Sequence, residues 1–189
     1  MMEVRGRALK SIQNFVRKEF GQEGFDRWLD TIPVEAYTVY SLSIDANEWF
    51  PLKKLLIEPT ANIAQLFYEW DLKKASWEMG RYSADFGLKG PFRLFFKVGS
   101  TKFLIHKSSE ILPMYYRPSE MEVAQYREGL IRLHITRFPE IDKTTEYRIC
   151  GWTQRAMEIN GRKNVEVEIT KSLTTFDPCT EFRITWETA

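Results

Sequence analysis

Hydrophobic residues recur along this chain with two different periods, and the change falls near Pro118. Before Pro118 they return every three or four positions, as one face of a helix requires. Leu9, Ile12, Phe15, Val16 and Phe20 predict a helix over residues 4–20, with Arg5, Arg7, Lys10, Arg17 and Lys18 largely opposite. Gly21 ends it through a left-handed cap, and Phe25, Trp28, Leu29 and Ile32 predict a short helix before Pro33. Residues 34–48 read as irregular, because Tyr37, Val39 and Tyr40 have β character in a run with no evident partner. Trp49-Phe50-Pro51 then opens a helix through Ile57, with proline in the first turn. Pro59 stops that helix, and Thr60 caps another carrying Ile63, Leu66 and Phe67. The longest helix is predicted from Asp71 to Leu88, with Leu72, Ala75, Met79, Tyr82 and Phe86 along one stripe. Gly80 in its middle costs ~1 kcal/mol against alanine, which points to close approach by another element. Beyond Gly90-Pro91, Phe92, Leu94, Phe95, Phe96 and Val98 predict a short buried helix, and Phe103, Leu104, Ile111, Leu112 and Tyr115 a last one.

After Pro118 the period is two. Ile131, Leu133 and Ile135 alternate with Arg132, His134 and Thr136, and Met121, Val123 and Gln125 alternate with Glu120, Glu122 and Ala124 across a turn at Arg127-Glu128-Gly129. This predicts a half-buried antiparallel hairpin. Thr144 or Thr145 caps a helix to Asn160, its core face built from Ile149, Trp152, Ala156 and Ile159. Val165–Ile169 and Phe182–Trp186 alternate again. The expected fold is therefore α+β: a helical part, 1–117, packed on a four-stranded antiparallel sheet with one helix (ββαββ), 118–189, as a single domain. The polar face of each strand leaves the far side of the sheet for solvent or for a partner chain.

Composition narrows the partners. Twenty-seven basic and 26 acidic residues leave a net charge of +1, which gives no field to attract nucleic acid. No apolar run reaches the ~18 residues of a membrane span, and no signal-type start is visible, so a cytoplasmic protein is expected. Two cysteines, Cys150 and Cys179, make no disulfide framework.

The order of elements resembles the superfamily that joins haem nitric-oxide-binding domains, vinyl-reductase-type domains and a vesicle-tethering subunit family. Gly151-Trp152, Asn160-Gly161, the Val165–Ile169 strand and the run from Cys179 to Trp186 look like that superfamily's closing pattern. Trp49-Phe50-Pro51, Gly80-Arg81, Leu88-Lys89-Gly90 and Tyr115-Tyr116 are similar to an uncharacterised bacterial paralogous family, best known from myxobacteria, within it. The resemblance implies a ligand-binding or interaction module used in signalling, with no chemistry of its own. The haem-binding relatives hang iron on a histidine in the helix before the sheet and grip the propionates with Tyr-x-Ser-x-Arg. Here no histidine lies near Leu112-Pro113, and in Tyr116-Arg117-Pro118-Ser119-Glu120 the serine falls one residue late and the arginine is missing. No haem or other cofactor is therefore expected.

Candidate chemistry is sparse. His106 and His134 show no His-x-x-x-His or Cys-x-x-Cys spacing, so no metal site is expected, and both read as surface histidines. His106 as a displaced axial haem ligand is the alternative. Cys150 and Cys179 read as buried structural thiols, and Asp71, Glu78 and Asp85, seven apart, as a solvated acidic face. No catalytic motif appears. Arg81, beside Gly80 and near Trp77 and Tyr82, is the residue suited to anchor an anion inside aromatic walls. The expected function is a non-enzymatic sensor or scaffold, its pocket lined by Trp77, Arg81, Phe95, Phe96 and Trp152. A small apolar or amphipathic ligand, a protein partner or a second copy of the chain would occupy its surfaces.

Overall fold

Three very short strands tie the beginning, the middle and the end of the helical part together. β1 (Glu3–Arg5) lies between β2 (Trp49–Pro51) and β3 (Tyr116–Arg117), all antiparallel. Arg5 and Arg117 both lie over the Trp49 ring, 4.6 and 4.2 Å from its centroid. Trp49-Phe50-Pro51 is thus a strand, where sequence periodicity predicts the start of a helix. The structure, a computed structural model, describes residues 1–88 and 101–188, with the backbone alone for 101–106 and 108.

α1 (Gly6–Leu29) comprises both helices predicted before Pro33, broken at Gly21, whose φ of 71° and ψ of −175° are not helical. α2 (Val34–Ser41) occupies the segment predicted as irregular. Its four-residue spacing of Ala36 and Tyr40 buries both completely, which outweighs the β preference of Tyr37 and Val39. The Tyr40 hydroxyl donates to the Leu55 carbonyl at 2.6 Å. That carbonyl stands four residues before Pro59, which has no N–H to give it. A π-type turn (Lys53–Ile57) therefore runs straight into α3 (Glu58–Phe67), with Pro59 inside the continuous helix and not at its end. The Pro59 carbonyl in turn accepts from Trp28 Nε1 at 3.0 Å.

α4 (Leu72–Gly87) begins at Asp71, whose carboxylate accepts the Lys74 backbone N–H at 2.9 Å. It has 16 residues, one fewer than the helix Lys143–Ile159, so the longest unbroken helix is not the predicted one. The short apolar helix predicted from Phe92 to Val98 lies outside the described residues. α5 (Thr101–Tyr115) carries Pro113 inside its last turns and packs against β4 (Glu120–Arg127).

The C-terminal part has the predicted architecture. β4, β5 (Leu130–Arg137), α6 (Lys143–Ile159), β6 (Glu166–Lys171) and β7 (Thr180–Thr185) give a four-stranded antiparallel sheet in the order β4-β5-β7-β6. Opposite residues alternate between the faces. Leu133 meets Phe182 on the buried face, and His134 meets Glu181 on the other. That outer face pairs its charges within itself: Glu181 holds Arg132 and His134, and Glu168 holds Arg183.

α4 and α6 form the closest helix pair, and two glycines permit it. A Cβ on Gly80 would stand 2.1 Å from the Arg148 carbonyl oxygen, and one on Gly151 would stand 2.0 Å from that of Trp77. Gly80 is thus a point of backbone contact, as its place in mid-helix suggests.

Candidate functional site

The site is built around the first turns of α6. Asp142 caps the helix: its Oδ1 accepts from the Thr145 N–H at 2.9 Å and from the Thr145 hydroxyl at 2.7 Å. The cap is thus the aspartate, not Thr144 or Thr145. Two buried charges follow. Glu146, fully buried, accepts from Ser172 Oγ at 2.6 Å, Thr180 Oγ1 at 2.7 Å and Lys143 Nζ at 2.9 Å. Arg148, 3% exposed, lies two residues on and so points to a different side of the helix. Its Nη2 donates to Ser11 Oγ at 2.9 Å and, weakly, to the Ala8 carbonyl at 3.3 Å. Nη1 has no hydrogen-bond partner among the described residues beyond the nearby Tyr116 phenol.

Arg148 forms part of the wall of a cavity of about 60 Å³ beneath α5. Ile111, Leu112 and Tyr115 of α5 cover it, and Tyr116, Ile149 and Trp152 close the sides. A second cavity of about 200 Å³ shares Ile111, Tyr115 and Trp152 and is lined also by Arg5 and Arg7. The Tyr115 and Trp152 rings stand 6.5 Å apart between the two. Burial pushes the Tyr116 phenol above its ordinary pKa, while the neighbouring Arg148 charge pulls the other way. The phenol therefore stays protonated at neutral pH and able to donate a hydrogen bond.

Of the five residues predicted to line one pocket, the three that are described, Trp77, Arg81 and Trp152, have different surroundings. Trp152 lines both cavities. Trp77 instead donates from Nε1 to Gln154 Oε1 at 2.8 Å and borders a polar groove with Lys73, Lys143 and Tyr147. Arg81 spans Gln154 and Glu158, with two bonds of 2.8 and 2.9 Å to the Glu158 carboxylate, so its guanidinium is committed within the α4–α6 seam. Burial works to raise the Glu158 pKa, but Arg81 and Arg155 outweigh it and hold the carboxyl below its usual range. Asp85, expected on a solvated face, pairs with Arg155 at 3.0 Å in the same seam. Phe95 and Phe96 lie outside the described residues.

His134 is not simply a surface histidine. Its Nε2 lies 2.7 Å from Glu181, whose carboxyl is held down to about 2 first by the Thr170 hydroxyl and then by His134 and Arg132, against burial. The His106 side chain lies outside the described residues. Burial raises both cysteine thiols, so neither is a ready thiolate. Among the described residues no three His, Cys, Asp or Glu side chains gather as a metal site, and no helix is long and apolar enough to cross a membrane.

Comparison with solved structures decides the fold. An H-NOX protein from S. oneidensis in its Fe(II)NO ligation state superposes with a TM-score of 0.74 at 11% identity, over 97% of this chain and 99% of that one. The unliganded Fe(II) H-NOX protein from K. algicida gives 0.64 at 10%, over 98% and 97%. A mutant of T. tengcongensis H-NOX gives 0.67 at 14%, over 97% and 98%. The fold is that of the H-NOX domains. No family model and no curated protein matches the sequence. At such identities the H-NOX likeness is one of architecture.

Proposed function

We propose that this protein is a non-enzymatic sensor module, and that its ligand enters the cleft between α5 and the α1–α6 face. The observation that carries this reading is the pair of adjoining cavities under α5, walled by Ile111, Tyr115 and Trp152, on an H-NOX fold. Ligand sites are concave and mostly apolar with a few placed polar groups, and this cleft has that make-up. Signalling, and kinship with the bacterial paralogous family that the sequence motifs resemble, belong to the same proposal.

A haem-based gas sensor with His106 as axial ligand is the more specific form, and the comparisons favour it: the neighbours include H-NOX proteins in Fe(II) and Fe(II)NO states. The position of His106 on α5, the helix that covers the cleft, favours it too. The described residues of this chain do not fit a haem. The cavities, about 60 and 200 Å³, fall below the roughly 300–1,000 Å³ of a pocket for an organic ligand of that class. His134 is committed to Glu181, and both cysteine thiols are buried.

One titration separates the two forms. The full chain is mixed with haemin and followed by absorbance, beside the His106→Gly variant. A Soret band that shifts in the variant establishes the haem form. Absence of any Soret change leaves the sensor reading to apolar ligands without iron. Failure of haemin and of simple amphiphiles alike to bind would refute it.

A further inference from the structure

We propose that Arg148 is an anion anchor, and that the cleft takes the carboxylate of a ligand with an apolar body. This deepens the sensor reading and rests on it. A guanidinium taken out of water is costly unless an anion and further hydrogen bonds compensate it. Arg148 is 3% exposed, and no carboxylate lies within ion-pair distance of it among the described residues. Nor do residues 89–108, most of whose side chains are not described, contain a single aspartate or glutamate. Its neighbours are neutral: the Ala8 carbonyl, the Ser11 hydroxyl and, close by, the Tyr116 phenol.

The geometry around it suits such a ligand. Nη1 has no hydrogen-bond partner among the described residues beyond the nearby Tyr116 phenol, and a guanidinium presents its donors as a planar fork that matches a carboxylate. The Tyr116 phenol shares the cavity wall and can add a neutral donor. The apolar body would pass Leu112 and Trp152 and extend between Tyr115 and Ile111 into the wider cavity. A fatty acid presents such a carboxylate on a slim apolar body, in keeping with cavities of about 60 and 200 Å³, and a porphyrin, too large for them, serves as the contrast.

The test compares decanoate with decan-1-ol, and haemin with its dimethyl ester, on the full chain by calorimetry and thermal shift. Each pair shares a body and differs in the charged group. We expect at least one acid to bind roughly ten- to hundredfold more tightly than its neutral counterpart, the usual range for a hydrogen bond to a charged group. Selectivity for decanoate identifies an aliphatic acid, and selectivity confined to haemin would overturn the aliphatic assignment. In Arg148→Met the preference should vanish while the neutral compound binds as before, and Arg148→Lys should restore part of it. Equal binding of acid and neutral forms to the unaltered chain overturns the anchor but leaves the sensor reading standing. No binding by any of the four overturns both.

Discussion

Glu146 and Arg148 leave α6 two residues apart, and both are buried, but their surroundings treat charge in opposite ways. Glu146 receives three donors from three places: Lys143 in its own helix, Ser172 just after β6, and Thr180 on β7. Arg148 meets one hydroxyl, one carbonyl and a cavity. The first arrangement is what a buried charge needs when its task is to fix structure, since the donors replace the lost water. The second leaves a charge half-compensated, and natural proteins keep such a group where something else completes it. The end of α6 near Ser172 thus reads as architecture, and the face beneath α5 as a site.

The sharpest way to break the contrast is Glu146→Leu. Ser172 and Thr180 are buried and would lose their charged acceptor, so stability should fall by about 3 kcal/mol or more. Urea unfolding with an unchanged m-value measures it. A loss below about 1 kcal/mol would mean that Glu146 is no better served than Arg148.

A second test acts on the wall between the two helices. Gly151→Ala would place a methyl group 2.0 Å from the Trp77 carbonyl oxygen, and the backbone has to move. The expected cost is about 1–3 kcal/mol, with the same for Gly80→Ala against the Arg148 carbonyl. The second should alter the affinity for the acid more, because it displaces the backbone that carries Arg148. Unfolding curves and the decanoate titration on both variants check this.

The sheet was legible in the sequence because its alternation is long and clean. Ile131, Leu133 and Ile135 declare their face, and the opposed charges declare the other. The N-terminal sheet was not legible, because strands of two or three residues such as Tyr116–Arg117 contain no period to read. α2 was hidden behind three residues with β preference, although the four-residue spacing of Ala36 and Tyr40 was there to be seen. Of the site, Trp152 was visible as an aromatic on the core stripe. Arg148 was missed, yet it precedes Trp152 by four residues and Ala156 by eight, so it stands within that stripe. A charge inside an apolar stripe was the signal available. Arg81 attracted attention because its aromatic neighbours are close in sequence, while its real partners, Gln154 and Glu158, lie more than 70 residues away.

Acid extends the comparison to a third buried charge. Glu181 has its pKa depressed to about 2 by Thr170, His134 and Arg132, below the ordinary glutamate value of about 4.3. A depressed carboxylate contributes stability that is fully present above its unfolded pKa and is lost as pH falls through the folded one. Stability should therefore decline between about pH 5 and pH 2, and Glu181→Gln should flatten that decline. Chemical denaturation across that range is the measurement. An unaltered profile in the variant would place the acid sensitivity elsewhere.

The smallest expected effect is the most telling. Arg148→Met, without ligand, should change stability by no more than about 1 kcal/mol, and in the favourable direction, because it removes a buried charge that no carboxylate compensates. Its partners lose little: the Ser11 hydroxyl still donates to the Ala8 carbonyl at 2.7 Å and lies 3.2 Å from Ser83 Oγ. Methionine is flexible enough to fill the space the guanidinium leaves. A residue that can be lost from the core without harm to the fold is there for another reason, and the ligand should reveal it. With a carboxylate ligand in excess, the unaltered chain should gain more thermal stability than the variant, so that the order of the two reverses. If Arg148→Met instead destabilises the free protein as severely as Glu146→Leu, then Arg148 is structural, and the difference between the two faces of α6 disappears.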